Sequence, residues 1–267
     1  MEGVFYSPVM EDFINLKEFL DAKSDEYNFP GFIEHDPVSV PHMFSLKQDI
    51  EISGFLAAML SWGQRPVIIA NSLRLMQMMD DEPYNFLQNA SEKDFKRFTG
   101  FVHRTFNTDD CLFFLQALRS FYNESDSLES SFLIGYQQEF SIKQGIKTLR
   151  NSFLQVPHLT RSEKHIPDPE RGSSAKRLNM FFRWMVRNDN RGVDFGLWKN
   201  VSPAHLMCPL DVHSGRTARK LGLLNRKQDD WKAVEELTAN LRTFDANDPV
   251  KYDFALFGIS VSQNKYK

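Results

Sequence analysis

Apolar positions in this chain recur at helical spacing almost from end to end. Phe13, Ile14, Leu16, Phe19 and Leu20 form one stripe over 12–25, and Tyr27-Asn28-Phe29-Pro30-Gly31 breaks it. The segment up to Pro41 reads as loop. Ile50, Ile52, Phe55, Leu56, Met59 and Leu60 predict a second helix over 49–62. The mostly apolar 67–79 predicts a third, buried on most sides, and the two read as a central hairpin. Further helical patterns cover 82–87, 91–97, 109–122, 128–136 and 142–154.

The stretch 156–172, rich in proline, charge and turn formers, reads as a linker or inter-helical loop between regions 1–155 and 156–267, which together make one intimate unit. Beyond it, Ser173 and Ser174 are good N-caps for a helix over 175–187, ended by Asn188-Asp189-Asn190-Arg191-Gly192. A short turn is expected over 203–207. Asp211 sits where an N-cap belongs for a helix over 212–221, which Gly222 terminates; the last two helices cover 229–241 and 249–259. Neither regularly spaced alternating strands nor a βαβ rhythm occurs, so the fold class is all-α.

Composition agrees. Of 267 residues, 42% are hydrophobic and 25% charged, which disfavours disordered, collagenous and coiled-coil chains, and the 24 Phe imply a core of aromatic rings packed between helices. No window approaches the roughly twenty apolar residues of a membrane span, and Met-Glu-Gly-Val-Phe-Tyr-Ser lacks a basic, then apolar, leader. A cytoplasmic protein with no membrane association is expected. Cys111 and Cys208 are too few for a disulfide framework, a four-cysteine zinc site or an iron-sulfur cluster, and read as buried thiols. The seven histidines show neither H-x3-H nor H-E-x-x-H spacing, so no metal is expected. Walker and Rossmann loops are absent, Ser214 and Ser260 lack a hydrolase elbow, and no cofactor is expected.

Charge is uneven. Between Arg161 and Lys227 there are 14 Lys or Arg against six Asp or Glu, a net of +8; the whole chain is −3, which leaves −11 elsewhere. Within that segment Pro209-Leu210-Asp211-Val212-His213-Ser214-Gly215-Arg216-Thr217-Ala218-Arg219-Lys220-Leu221-Gly222-Leu223 stands out. Read by itself, it is an aspartate-capped amphipathic helix ending at glycine. It also resembles the V-D-T-H-V-x-R-V-x-x-R-L-G-L signature of helix-hairpin-helix DNA glycosylases, the HhH-GPD superfamily that includes endonuclease III; Asp211, His213, Arg216, Leu221, Gly222 and Leu223 are identical. In that family the aspartate is catalytic. Upstream, Gly172-Ser173-Ser174-Ala175-Lys176 resembles the G-x-G-x-K that places the nucleophilic lysine of bifunctional members at Lys176, although Ser174 replaces the second glycine. Lys176 precedes Asp211 by 35 residues, a longer interval than is usual in the family. Phe55 to Arg65 resembles the L-S-x-Q stretch whose glutamine fills the gap left by an extruded base, with Gln64 offset by one residue. The whole looks most like a bacterial family of unassigned activity within this superfamily.

The resemblance implies two helical subdomains with a cleft between them, and a partner that is duplex DNA carrying a damaged base or an abasic site. Lys176 and Asp211 are both expected at helix N-termini, where the macrodipole stabilises a carboxylate and disfavours an ammonium. Lys176 would attack C1′ and form a Schiff base, helped toward neutrality by desolvation and by Arg177 and Arg183. Asp211 would stabilise the oxocarbenium-like sugar or accept a proton from the amine. Backbone N–H groups of Gly172, Ser173, Ser174 and Ala175 would cradle a phosphate, with Arg171, Arg177, Arg216, Arg219 and Lys220 adding charge and Gln64 or Arg65 reaching the duplex. His213 would bond nearby backbone or orient Asp211. Trp62, Phe181, Trp184 and Trp198 are candidate stacking platforms, although Phe181 and Trp184 sit at core spacing. The alternative is a non-catalytic nucleic-acid or protein-binding module on the same fold, motivated by the missing glycine and the long interval before Asp211.

Overall fold

A computed structural model describes residues 8–264 as twelve α-helices and eight 3₁₀ turns, with no β-strand among them. The first seven residues, on which the reading of the chain's start rests, lie outside the described residues, as does the side chain of Phe13. The helices are α1 (Pro8–Tyr27), α2 (Lys47–Met59), α3 (Arg65–Met78), α4 (Pro83–Asn89), α5 (Glu92–Phe95), α6 (Thr108–Glu124), α7 (Leu128–Glu139), α8 (Ile142–Phe153), α9 (Lys176–Val186), α10 (Val212–Lys220), α11 (Trp231–Phe244) and α12 (Tyr252–Asn264). Polar caps set many of the starts. Asn107 and Asp110 bond reciprocally at α6, while Ser127, Ser141, Asp211 and Asp230 accept backbone N–H groups at α7, α8, α10 and α11.

The centre of the molecule is α2 packed on α9 rather than a hairpin of α2 and α3. Every residue of α2 from Ile50 to Met59 is buried, and Phe55 meets Phe181 edge-on at 5.5 Å and Phe153 at 4.9 Å. In contrast, α3 buries only Ile68, Ser72, Leu75 and Met76, and Val67 stays exposed. Its apolar composition matched a buried helix, but only those positions, three and four residues apart, turn inward. One carboxylate lies within the α2 layer: Glu51 accepts Tyr122 Oη at 2.8 Å, Ser127 Oγ at 2.5 Å, Leu128 N at 3.0 Å and Trp198 Nε1 at 2.7 Å. Four donors satisfy a charge that burial would otherwise expel. Trp198 is thereby committed to the core, as are Phe181 and Trp184, so none of the three is a stacking platform.

Two glycines let α7 and α8 close on each other. A Cβ on Gly135 would collide with the Gln144 carbonyl and the Thr148 hydroxyl, and one on Gly145 with the Phe132 ring. Backbone cannot retreat as a flexible side chain can, so Gly135→Ala is expected to cost roughly 1–3 kcal/mol by overpacking. Urea unfolding checks this; an unchanged midpoint would mean that the two helices separate without penalty.

The stretch 156–172 is anchored to the body of the protein. Ser162 Oγ donates to Asp110 Oδ1 at 2.6 Å, Arg161 Nη1 reaches Asp110 Oδ2 at 3.0 Å, and Ser162, His165 and Ile166 are buried. One hydrophobic core runs through both halves of the chain. Both cysteines are buried free thiols, pushed up in pKa by that burial. No helix among the described residues is long and apolar enough to cross a membrane.

Candidate active site

Two short helices begin at one cavity. Asp211 caps α10 with one oxygen, accepting His213 N at 2.8 Å and Ser214 N at 3.0 Å on Oδ1, and Ser214 Oγ accepts the Asp211 N–H in return at 2.9 Å. Its other oxygen, Oδ2, lies 3.4 Å from Lys176 Nζ, at the first residue of α9. The two side chains remain 38% and 30% exposed, so both are open to a ligand. Burial pushes the Asp211 carboxyl up. The Lys176 ammonium and the Ser214 and His213 N–H groups outweigh this and hold it below the usual carboxylate range. The imidazole of His213 is exposed at the rim, and it is the backbone of this residue that fixes the aspartate.

The cavity has a volume of about 570 Å³ and draws its walls from both halves of the chain. Phe32, Phe254 and Phe257 make an aromatic side, with Phe32 edge-on to the other two at 5.3 and 5.5 Å. Arg65 also lines it, its guanidinium 4.2 Å above the Phe257 ring. Trp62 and Gly63 form another edge. Their loop is clamped by His103, whose Nε2–H donates to Trp62 O at 3.2 Å while Nδ1 accepts from Asn71 at 2.9 Å. Burial depresses the His103 pKa, in keeping with this neutral tautomer. Gln64 is exposed beside the mouth at the start of α3.

Two more carboxyls line the cavity, and motif reading found neither. Asp36 is buried in the turn before Val38, whose N–H it accepts at 3.1 Å; desolvation raises its pKa against the charges of Arg183, Arg65 and Lys176. Asp253, on α12, is bonded to Arg183, whose other carboxylate partner is Asp194 at 3.2 Å. Burial, reinforced by the Asp211 charge, pushes Asp253 up to about 6 despite Arg183 and Lys176. The one local signal is the four-residue step from Asp253 to Phe257, which puts both on one helical face. The described residues bring no three His, Cys, Asp or Glu side chains into a metal-binding group.

The loop before α9 departs from the expected phosphate cradle. Gly172 N bonds Pro169 O, Ser173 N bonds Asp168 O, and Ala175 N bonds Ser173 Oγ, so these amides are already used within the protein. Nor do Ser173 and Ser174 cap α9. Its N-cap is Ala175, held left-handed at φ 47° with no side-chain cap, because Ser173 is bridged to Asp230 and Trp231 N bonds Gly172 O. Among the basic residues, Arg177 turns inward, donating to Met59 O at 2.6 Å beneath the Trp62 ring, and burial pushes it down to about 10. Arg219 is held by Asp229 at 2.6 Å and by Arg226 O at 2.8 Å. Arg171, Arg216 and Lys220 are exposed.

No curated protein and no solved structure matches this chain significantly. A family model does, over residues 36–262, a span that takes in every cavity residue named above except Phe32. By that match the chain belongs to the family described as "Protein of unknown function (DUF2400)".

Proposed function

We propose that the protein is a helix-hairpin-helix type DNA glycosylase with abasic-site lyase activity, acting on duplex DNA through Lys176 and Asp211. The observation that carries this reading is the 3.4 Å approach of Lys176 Nζ to Asp211 Oδ2 at an open cavity, between residues 35 positions apart in the chain. Catalytic groups must share one reacting centre, and this proximity is what such a role requires. Both stand at helix N-termini, where the positive end of the helix dipole favours the carboxylate form of Asp211. Asp211 stays ionised, as required to stabilise a cationic sugar, and it is within reach of the proton that the attacking amine sheds. At an abasic aldehyde the Lys176 amine condenses with C1′ and water leaves, giving an imine.

The aromatic walls and Trp62 offer ring faces against which an extruded base would stack in the cavity of about 570 Å³. Exposed Arg171 and Arg216 would meet backbone phosphates; the inward Arg177 and the paired Arg219 contribute to the fold instead. The test is borohydride trapping of the purified protein on a duplex containing one abasic site. The expected result is a covalent band, since hydride reduces the imine to a stable amine. Salt-sensitive retention of the duplex without a band would remove the lyase chemistry and leave a monofunctional glycosylase, with Asp211 activating water, or the non-catalytic binding module, which excision of a damaged base then separates. Neither band nor retention would overturn the nucleic-acid reading.

A further inference from the structure

We propose that Asp253 is the acid that protonates the departing base, which suits the pocket to neutral bases that cannot leave unaided; this rests on the glycosylase reading above. The cavity holds two carboxyl groups whose surroundings push them in opposite directions. Asp211 is kept anionic by Lys176 and two backbone N–H groups, whereas Asp253 sits on α12 with its side chain 13% exposed, one helical turn before Phe257. Such a separation lets one acid serve as base or charge stabiliser and the other as proton donor. Asp253 titrates at about 6, so roughly one molecule in ten carries its proton at pH 7. The charged or titratable groups that face it are Arg183 and Lys176 from α9, Asp211 at the start of α10 and the buried Cys208 thiol, with Asp194 behind Arg183. Asp36 also lines the cavity with its pKa raised by burial, so Asp36→Asn is run beside Asp253→Asn to tell the two acids apart.

The step balances. The C1′–N bond breaks with its electron pair on the base, the Asp253 proton goes to a ring nitrogen or exocyclic oxygen of that base, and the sugar cation is captured by the Lys176 amine or by water, whose surplus proton passes to Asp211. Arg183, already bonded to Asp253, then stabilises the carboxylate left behind. An aromatic-walled cavity that also presents a proton donor therefore selects neutral heteroaromatic bases. A base already cationic, such as 7-methylguanine, carries the charge that this proton would supply and does not depend on it.

Single-turnover excision from duplexes carrying uracil, hypoxanthine, ethenoadenine or 7-methylguanine, measured from pH 5 to 9, tests the assignment. In the wild type the neutral-base rates should fall as pH rises above about 6, while the 7-methylguanine rate lacks that limb. In Asp253→Asn the ratio of neutral to cationic excision should drop about a hundredfold, the usual worth of a positioned acid. Asp253→Glu should restore part of the ratio together with the pH limb. Because the limb is read in the wild type, it stands even if a variant folds poorly. Equal loss on all four bases in Asp253→Asn, or no limb in the wild type, would overturn the role of Asp253. So would trapping on abasic DNA with no base excised, and in that case the Lys176 and Asp211 chemistry survives. No trapping and no excision would overturn the glycosylase reading itself.

Discussion

Lys176→Arg is expected to abolish the borohydride-fixed adduct on abasic DNA, because a guanidinium keeps the charge beside Asp211 yet has no amine to condense with C1′. Lys176→Ala should do the same. Both variants should unfold at nearly the wild-type temperature, since an ion pair this open contributes about 0–1 kcal/mol. Asp211→Asn separates the two jobs of that residue. The amide oxygen can still accept the His213 and Ser214 N–H groups, so α10 should keep its start, but the charge facing Lys176 is gone. Base excision should then fall roughly 10²- to 10³-fold, the cost of removing one preorganised charge from a transition state. Asp211→Ala should add the loss of the cap, about 1 kcal/mol of stability. Gel-resolved trapping and single-turnover rates, paired with thermal melts, give the comparison. An adduct that persists in Lys176→Arg would place the nucleophile on another residue.

What could be read from the sequence was local. Asp211 could be recognised as a cap because capping needs only the next three residues, and the helices of the first half follow from apolar spacing alone. The all-α class came with them. The approach of Lys176 to Asp211 followed from motif resemblance rather than from spacing, which ran against it. Asp36 and Asp253 were invisible because the turn at Asp36 and α12 reach one cavity only in the folded chain, and an isolated aspartate carries no sign of the desolvation it will undergo. Ala175 was missed as the N-cap for a related reason. Nothing in alanine favours a left-handed backbone, and the bridge from Ser173 to Asp230 imposes it. The +8 segment is only partly a solvated one. Arg183, Arg187 and Arg226 in it are paired with carboxylates, two of them in the interior, and charge counting cannot distinguish a solvated arginine from a buried one.

Arg183→Met should be the most destabilising of the single changes considered, because Arg183 ties the cavity to the core. Its side chain is 4% exposed and it is bonded to Asp194, which is fully buried, and to Asp253. Removing it leaves Asp194 with Arg187 at 3.1 Å and Asp253 with no guanidinium partner. Breaking a buried pair in this way costs roughly 3–5 kcal/mol, and for a chain of this size a melting temperature lower by about 6–20 °C follows. The pH dependence has a definite sign. Asp253 already titrates above an unfolded aspartate, near 6 against about 3.9, so between those values the folded state holds the extra proton and stability declines as pH rises. Loss of Arg183 raises the folded value further, so the deficit of Arg183→Met should grow from pH 5 to pH 8. Adding Asp253→Asn to Arg183→Met should recover part of the loss and flatten that slope, because the uncompensated charge is gone while Asp194 keeps Arg187. A double variant no more stable than Arg183→Met at pH 8 would mean that the guanidinium acts through packing against Phe254, whose ring it overlies at 4.3 Å, rather than through the charge of Asp253.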